Sequence, residues 1–341
     1  MDNSVDQILN EYRARQHWER REYKAAQEYA AVAAEKALVK SDSIGYWRMS
    51  LLLAECQLEL GDMQEFAASA KELSEHPAVQ GDRRMLARTK ALYSRALQIL
   101  GQVGESLVLA QEVAALGGAG TDDGIGEIEM LHSLVAALAE SGQEDEAWTY
   151  AQEMAKLAHE ESDQETAGKA YWAVGNVAFL ADDPENGAYY HSLAAENLAP
   201  GNDVNTWAQF NKGSALVRLA AGIADSETLE CIERAELANS VTGGSAFQEL
   251  EISMARAHWL LLTGKAEESA ERLGEILEHR DLLPEHSLAE VEYVAALALR
   301  ELGRNDEALE AAAHSEKVFI IHGSRRMASE AKRVIESING S

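Results

Sequence analysis

An all-α solenoid of about eight helical hairpins, ended by a C-terminal capping helix, is the fold this 341-residue sequence predicts, from three observations. A turn residue recurs at Arg21, Gly61, Gly101, Gly142, Asp182, Gly222, Gly264 and Gly303, at intervals of 40, 40, 41, 40, 40, 42 and 39. Self-similarity at one period of this length is how a stack of supersecondary units reads. Small residues flank the turns: Ala14, Ala54, Ser94, Gly175, Ala215, Ala257 and Ala296 seven before, and Ala26, Ser106, Ala147, Gly187, Ser269 and Ala308 five after, with Val135, Phe66 and Glu227 the exceptions. Antiparallel helices about 8–10 Å apart leave no room for bulk where they approach. Within units, apolar residues repeat at three and four, as in Leu131, Leu134, Val135 and Leu138 or Leu288, Val291, Val294 and Leu297, which is the helix period.

The first hairpin, turning at Arg21, is atypical, with Arg15, Glu19, Arg20 and Glu22 around Trp18, as terminal repeats often are. The second and third turn at Gly61 and Gly101, and Pro77 lies in the gap between them. Breakers from Gly117 to Gly124 precede the fourth hairpin, which turns at Gly142; the fifth turns at Asp182. Ala199-Pro200-Gly201-Asn202-Asp203, Thr242-Gly243-Gly244 and Pro284 then separate the hairpins turning at Gly222, Gly264 and Gly303. The last helix, about 324–339, carries Met327, Ala331, Val334, Ile335 and Ile338 on one side and charges elsewhere, which reads as a cap over the final apolar stripe. A solenoid grows by stacking, so residues 1–341 are expected to form one domain.

A small residue, seven steps, a turn, five steps and another small residue resembles the tetratricopeptide-repeat (TPR) pattern. The fullest copy is Tyr171-Trp172-Ala173-Val174-Gly175-Asn176 followed by Asp182-Asp183-Pro184 and Gly187-Ala188; shorter ones are Gly142 to Ala147 and Gly303 to Ala308. The resemblance covers about residues 5 to 322 and implies a right-handed superhelix. It departs from the family in its period of about 40 rather than 34, and in Leu or Ala where large aromatics are usual. Longer units of this sort resemble the sensor regions of bacterial transcriptional regulators and peptide-pheromone receptors.

Thirty basic against 58 acidic residues give a net charge of −28, which opposes direct nucleic-acid binding by this chain. No run of eighteen apolar residues exists, and the start lacks a basic region followed by an apolar stretch, so neither a membrane span nor a secretory signal is expected. Cys56 and Cys231 lie four to five repeats apart and read as buried thiols of a cytoplasmic protein. His279 and His286, seven apart around Asp281 and Glu285, read as solvated residues of a helix end and linker rather than metal ligands. Gly120 to Gly126, with Asp122 and Asp123, lacks a calcium-loop ladder, and Asn339-Gly340-Ser341 is a glycosylation sequon in form only. GxSxG, HExxH and phosphate-loop motifs are missing, so the chain reads as non-enzymatic, with no cofactor or metal.

What remains is binding. The TPR resemblance implies a concave face lined by the first helix of each hairpin, at steps 13, 10, 6, 3 and 2 before the turn. Among the residues carried over are Arg48, Arg88, Arg95, Gln98, His132, Lys169, Trp172, Asn176, Gln209, Lys212, His258, Tyr293 and Arg300. In the third, fifth and sixth hairpins the fifteen such positions hold Arg88, Arg95, Lys169 and Lys212 and no carboxylate. Such a stripe suits an acidic group on a peptide or partner helix, with Trp172 and Tyr293 offering flat apolar area and Gln209 a further polar contact. Asn176, in the Gly-Asn pair the family uses on a ligand backbone, can donate and accept at once. Against this, Glu165 stands four before Lys169 as a helix-surface partner, and the fourth hairpin puts Glu129 and Glu140 on the same face. The six tryptophans read mainly as core between repeats, Trp172 being the candidate anchor. The function this implies is a regulatory or sensor module that holds a peptide or protein segment in its groove and changes pitch on binding. The alternative is a static scaffold using its acidic outer face or its ends to hold partners or a second copy of itself.

Overall fold

The computed structural model describes residues 3–116, 125–201 and 203–340. The expected loop with Asp122 and Asp123, Asn202 of the link before the sixth hairpin, and Ser341 of the sequon lie outside the described residues. The chain gathers into two compact units, residues 1–121 and 122–341, and the division falls in the Gly-rich link between the third and fourth hairpins. Among the described residues all regular structure is helical.

Unit 1 contains α1 (Asn3–Glu19), α2 (Tyr23–Val39), α3 (Ser43–Leu60), α4 (Met63–Glu75), the single turn α5 (Pro77–Gln80), α6 (Arg83–Ile99) and α7 (Val103–Leu116). Unit 2 contains α8 (Ile125–Glu140), α9 (Glu144–Glu160), α10 (Gln164–Leu180), α11 (Pro184–Asn197), α12 (Val204–Ala220) and α13 (Ser226–Thr242). It continues with α14 (Ala246–Leu262), α15 (Ala266–Leu277), a 3-10 turn (Arg280–Leu282), α16 (Glu285–Glu301), α17 (Asn305–His322) and α18 (Arg325–Asn339).

All eight turn residues picked out by the period have positive φ, from 58° at Asp182 to 83° at Gly264. That conformation is why six of them are glycine, since a Cβ is disfavoured there. The small flanking residues are fully buried, Ala54, Ser94, Ala215, Ala257 and Ala296 on one side and Ala26, Ser106, Ala147, Ser269 and Ala308 on the other. Ser94 and Ser106 cross-link their hairpin, each hydroxyl donating to the other's carbonyl at 3.1 and 3.0 Å. The sixth hairpin differs. Ile223, Ala224 and Asp225 lengthen its turn, so the fully buried residue is Thr228 and Glu227 faces water.

Aspartates account for part of the acidic surplus by capping helices. Asp42, Asp82, Asp163, Asp183, Asp203 and Asp225 each accept a backbone N–H in the first turn of the following helix, satisfying groups that have no partner within it. The Gly45 N–H holds the Asp42 carboxyl below its usual range, and the Thr166 hydroxyl and N–H do so for Asp163.

In unit 2, α8, α10, α12, α14, α16 and α18 touch in succession and form one layer, and α9, α11, α13, α15 and α17 pack against it. The capping helix has the expected face, with Met327, Ala331 and Val334 buried and Ile335 and Ile338 packed beside Ala296 and Ala312. The turn between α8 and α9 meets the start of this cap: a Cβ built on Gly142 lies 3.6 Å from the Arg326 backbone nitrogen. Cys56 and Cys231 are buried free thiols in different units, and burial pushes the Cys56 thiol up to about 12. Among the described residues, no helix is long and apolar enough to cross a membrane.

Candidate functional site

The sequence-derived candidates divide between the units. Arg88 and Arg95 lie on α6 of unit 1, where the Arg88 guanidinium stacks 5.7 Å from the Trp47 ring and Arg95 is exposed. Trp47 is itself fixed by its indole N–H, which donates to the Thr89 hydroxyl at 3.0 Å. Lys169, Trp172 and Asn176 on α10, Gln209 and Lys212 on α12, and Tyr293 on α16 belong to the first-helix layer of unit 2.

Asn176 is the most firmly oriented of these. His191 of α11, only 5% exposed, donates from Nε2 to the Asn176 Oδ1 at 3.0 Å and accepts at Nδ1 from the Ser214 hydroxyl at 2.8 Å. Burial, reinforced by the Arg218 charge, pushes the imidazole down to about 3, so it stays neutral and the tautomer is set by its two partners. Gly175 makes room for this arrangement, because a Cβ there would fall 2.2 Å from the His191 Cδ2. The Gly-Asn pair thus has a local cause. Glycine admits the histidine, the histidine holds the amide oxygen, and the N–H₂ of this partly exposed side chain takes no part in that bond.

Trp172 is an inter-repeat wedge. Its ring meets Phe210 edge-on at 5.8 Å, and a Cβ on Gly213 would lie 2.4 Å from its Cζ2, so glycine at 213 is what lets α12 pack onto the indole. The lysines of the expected basic stripe carry carboxylate partners. Lys169 pairs with Glu165 at 2.5 Å, and Lys212 with Glu251 of the next hairpin's first helix. Tyr293 packs under the cap among Ala289, Phe319 and Met327, and burial pushes its hydroxyl up to about 12.

The ionisable centre of unit 2 lies elsewhere, at Glu290 on α16. Its side chain is 37% exposed. Burial first, then the charges of Glu140 and Glu251, push its carboxyl up to about 8 against the opposing pull of Arg326 and Lys212. His286, one turn earlier and 8% exposed, points Nδ1 at the Glu290 Oε1 across 3.9 Å, and its buried Nε2 has no hydrogen-bond partner. The expectation that His279 and His286 are solvated thus holds for His279 and fails for His286, which α16 carries into the interior. Among the described residues no cluster of His, Cys, Asp or Glu has the arrangement of a metal site.

Sequence reasoning passed over Glu251 and Glu290, although the period locates both. Each stands thirteen before its turn, Gly264 or Gly303, in the same register as Arg88 and Lys169.

Fold and layer together define an all-α solenoid of helical hairpins. No protein-family model matches the chain, and no curated protein matches its sequence. Among solved structures, the chain is similar to a Rap protein in complex with competence and sporulation factor, at TM-score 0.62 and 11% identity over 99% of this chain and 97% of that one. It is also similar to phAimR with its ligand, at TM-score 0.57 and 12% identity over 93% and 92% of the two chains. A tetratricopeptide repeat protein from Parabacteroides merdae matches at TM-score 0.48 and 10% identity, over 86% of this chain and 99% of that one.

Proposed function

We propose that the chain is a non-enzymatic regulatory or sensor protein that binds a peptide or protein segment against the first-helix layer of unit 2. The observation that carries this reading is the Asn176 amide, clamped through its oxygen by a buried neutral histidine and presenting its N–H₂ in the layer that also holds Glu290. A preoriented amide is suited to a ligand backbone, since the entropy of fixing it is spent in folding. The fold likeness to proteins solved with a bound factor or ligand supports the same reading.

The charges favour a different anchor from the acidic group that the basic stripe suggested. Lys169 and Lys212 already have carboxylate partners, whereas Glu140, Glu251 and Glu290 outnumber Lys212 and Arg326 among the charges acting at Glu290. A ligand with an ammonium or guanidinium near Glu290 is the better complement.

The test is a displayed library of random heptapeptides selected on the wild-type chain, with affinities then measured for Asn176→Ala and Glu290→Gln. A backbone contact through Asn176 should be lost with about tenfold in affinity, in line with one hydrogen bond to a desolvated partner. Selected peptides that bind both variants as tightly as wild type would sink the proposal. Scattering profiles that superimpose with and without a selected peptide would remove the conformational part of it.

A static scaffold is the second reading, favoured by apolar side chains open to water in unit 1: Ile8 and Tyr12 on α1 and Val39 on α2. It predicts partner binding that survives Asn176→Ala and is lost on Ile8→Glu.

A further inference from the structure

Neighbouring hairpins are joined by a rung that recurs at one register. In unit 1, Glu11, ten before Arg21, accepts at 2.8 Å from the guanidinium of Arg48, thirteen before Gly61. In unit 2, Lys212, ten before Gly222, pairs with Glu251, thirteen before Gly264. The acid and the base have changed places between the two pairs. Position in the repeat therefore decides which side chains meet, and sequence decides only their charges.

The next rung of unit 2 joins Met254, ten before Gly264, to Glu290, thirteen before Gly303. The register is the same as one rung earlier: α12, α14 and α16 each end two residues before their turn, and Ala215, Ala257 and Ala296, seven before, are fully buried. Met254, 8% exposed, packs in the cluster that holds Val291 and Val294, the first of which directly follows Glu290. The acid of this rung is present and its base is missing.

Nothing nearby replaces it. Among the described residues no lysine or arginine forms an ion pair with Glu290, since Lys212 is committed to Glu251 and Arg326 acts only from a distance. His286 points Nδ1 at the Glu290 Oε1 across 3.9 Å, but burial disfavours its cationic form and its Nε2 has no hydrogen-bond partner. The Glu290 side chain is 37% exposed, so a cation from outside can reach it.

We propose that a cation of the bound segment takes the place that Met254 leaves empty, so that Met254 is the residue that makes a positive charge a requirement of the ligand. It rests on the binding role proposed above and specifies it. The matching group is an ammonium or guanidinium on a flexible stem, which lies along apolar surface while its head meets the carboxylate. The expected contribution is about tenfold in affinity, between the small effect of an exposed pair and the large one of a buried pair.

Met254→Lys builds the missing base into the chain, and one part of its test needs no ligand. Urea midpoints are read for a double-mutant cycle of Met254→Lys with Glu290→Gln at pH 9, above the raised value of the Glu290 carboxyl, where both partners are charged. Met254→Lys should lower the midpoint by about 0.3–0.5 M less beside Glu290 than beside the glutamine. Equal drops would show that positions 254 and 290 form no rung and would overturn the inference whether or not any peptide binds.

The second part uses heptapeptides selected from the displayed library on the wild-type chain. Replacing a peptide lysine or arginine with norleucine and acetylating the N-terminus separate the two possible sources of the cation, and the effective change should cost about tenfold in affinity. Glu290→Gln and Met254→Lys should each weaken the parent peptide by a similar factor and leave its uncharged analogue unaffected. If circular dichroism shows Met254→Lys unfolded, the cycle between Glu290→Gln and the uncharged analogue carries the same test. Peptides that lose nothing when their cations are removed, or lose as much on Glu290→Gln as on the wild type, overturn this inference alone. A library that yields no binder refutes the binding role, and this inference with it.

Discussion

Gly175→Ala isolates the role of the glycine beside Asn176, because two opposing effects can be weighed from the structure. Replacing a mid-helix glycine with alanine ordinarily stabilises a helix by about 1 kcal/mol, through reduced backbone freedom in the unfolded chain. At position 175 the new methyl would sit 2.2 Å from the His191 Cδ2, 2.9 Å from its Nε2 and 3.1 Å from the Gly187 carbonyl oxygen. The imidazole has little room to yield, held by Asn176 and Ser214 and packed edge-on against Phe179 at 5.0 Å and Phe210 at 5.7 Å. Overpacking of this kind costs about 1–3 kcal/mol, and losing the Asn176 and Ser214 hydrogen bonds adds about 1 kcal/mol each. The net expectation is a loss of about 2–4 kcal/mol.

Gly274→Ala on α15 is the control, since nothing lies within 4 Å of a Cβ built there, and it should gain about 0.5–1 kcal/mol. Urea unfolding followed by tryptophan fluorescence reads both. With a slope of roughly 3 kcal/mol per molar, Gly175→Ala should lower the unit 2 midpoint by about 1 M while Gly274→Ala raises it slightly. If both shift upward alike, His191 is not wedged against α10 and the orientation of Asn176 loses its stated cause.

Acid should find the same histidine. The neutral buried form has its pKa pushed down to about 3 from 6.5, so the unfolded state binds the proton first. Stability is therefore fully present above 6.5 and falls progressively as pH drops towards 3, by several kcal/mol at most; His191→Gln should be less stable at pH 7.5 and show a shallower decline in urea midpoints from pH 6.5 to 4. Arg218→Met should cost about 2–3 kcal/mol, because the buried guanidinium donates to the Thr228 hydroxyl at 3.0 Å, reaches Asp225 at 2.9 Å and stacks 5.2 Å from the Phe179 ring; thermal unfolding of a normally folded variant at the wild-type midpoint would contradict this. Gly213→Val should loosen α12 from α10, by about 1–3 kcal/mol, through a methyl forced into the Trp172 ring. A Trp172→Ala background should relieve much of that cost in a double-mutant cycle.

The helices and their turns were legible in the chain because one physical demand recurs at one spacing. A left-handed turn needs glycine or a residue that tolerates positive φ, and Arg21 and Asp182 fall into register with six glycines although neither is one. The register along the first helices was legible too, but the partners of its charges were not. Lys169 and Lys212 read as a stripe when only three hairpins are compared, while the partner of Lys212 is Glu251, 39 residues on and almost one whole period away. Pairing between neighbouring repeats is a tertiary fact carried by a sequence separation of about forty. The orientation of Asn176 was hidden for a similar reason, since it depends on His191 from the second helix of the same hairpin and Ser214 from the next one. In the sixth hairpin, three residues between Gly222 and α13 moved the buried position from Glu227 to Thr228, a shift that a fixed count of five cannot follow.

The position thirteen before the turn gives the first-helix layer of unit 2 a direction. From the fourth hairpin to the eighth it is occupied by Glu129, Lys169, Gln209, Glu251 and Glu290. Lys169 is answered on its own helix by Glu165, four residues earlier, so it contributes a local pair. Glu251 is answered by Lys212 from the preceding hairpin, whereas the Glu290 carboxyl meets only the diluted pull of Arg326 and Lys212 against burial and two like charges. The register therefore ends at a carboxyl whose charge is unmet, while the oriented amide of Asn176 stands seven residues beyond Lys169 on α10, the second helix of the layer. On the proposed binding role, a segment with its backbone at α10 and a cation at α16 is the arrangement that meets both groups. On that role, the stacking that creates the fold also sets where along the layer the cation of a bound segment lies.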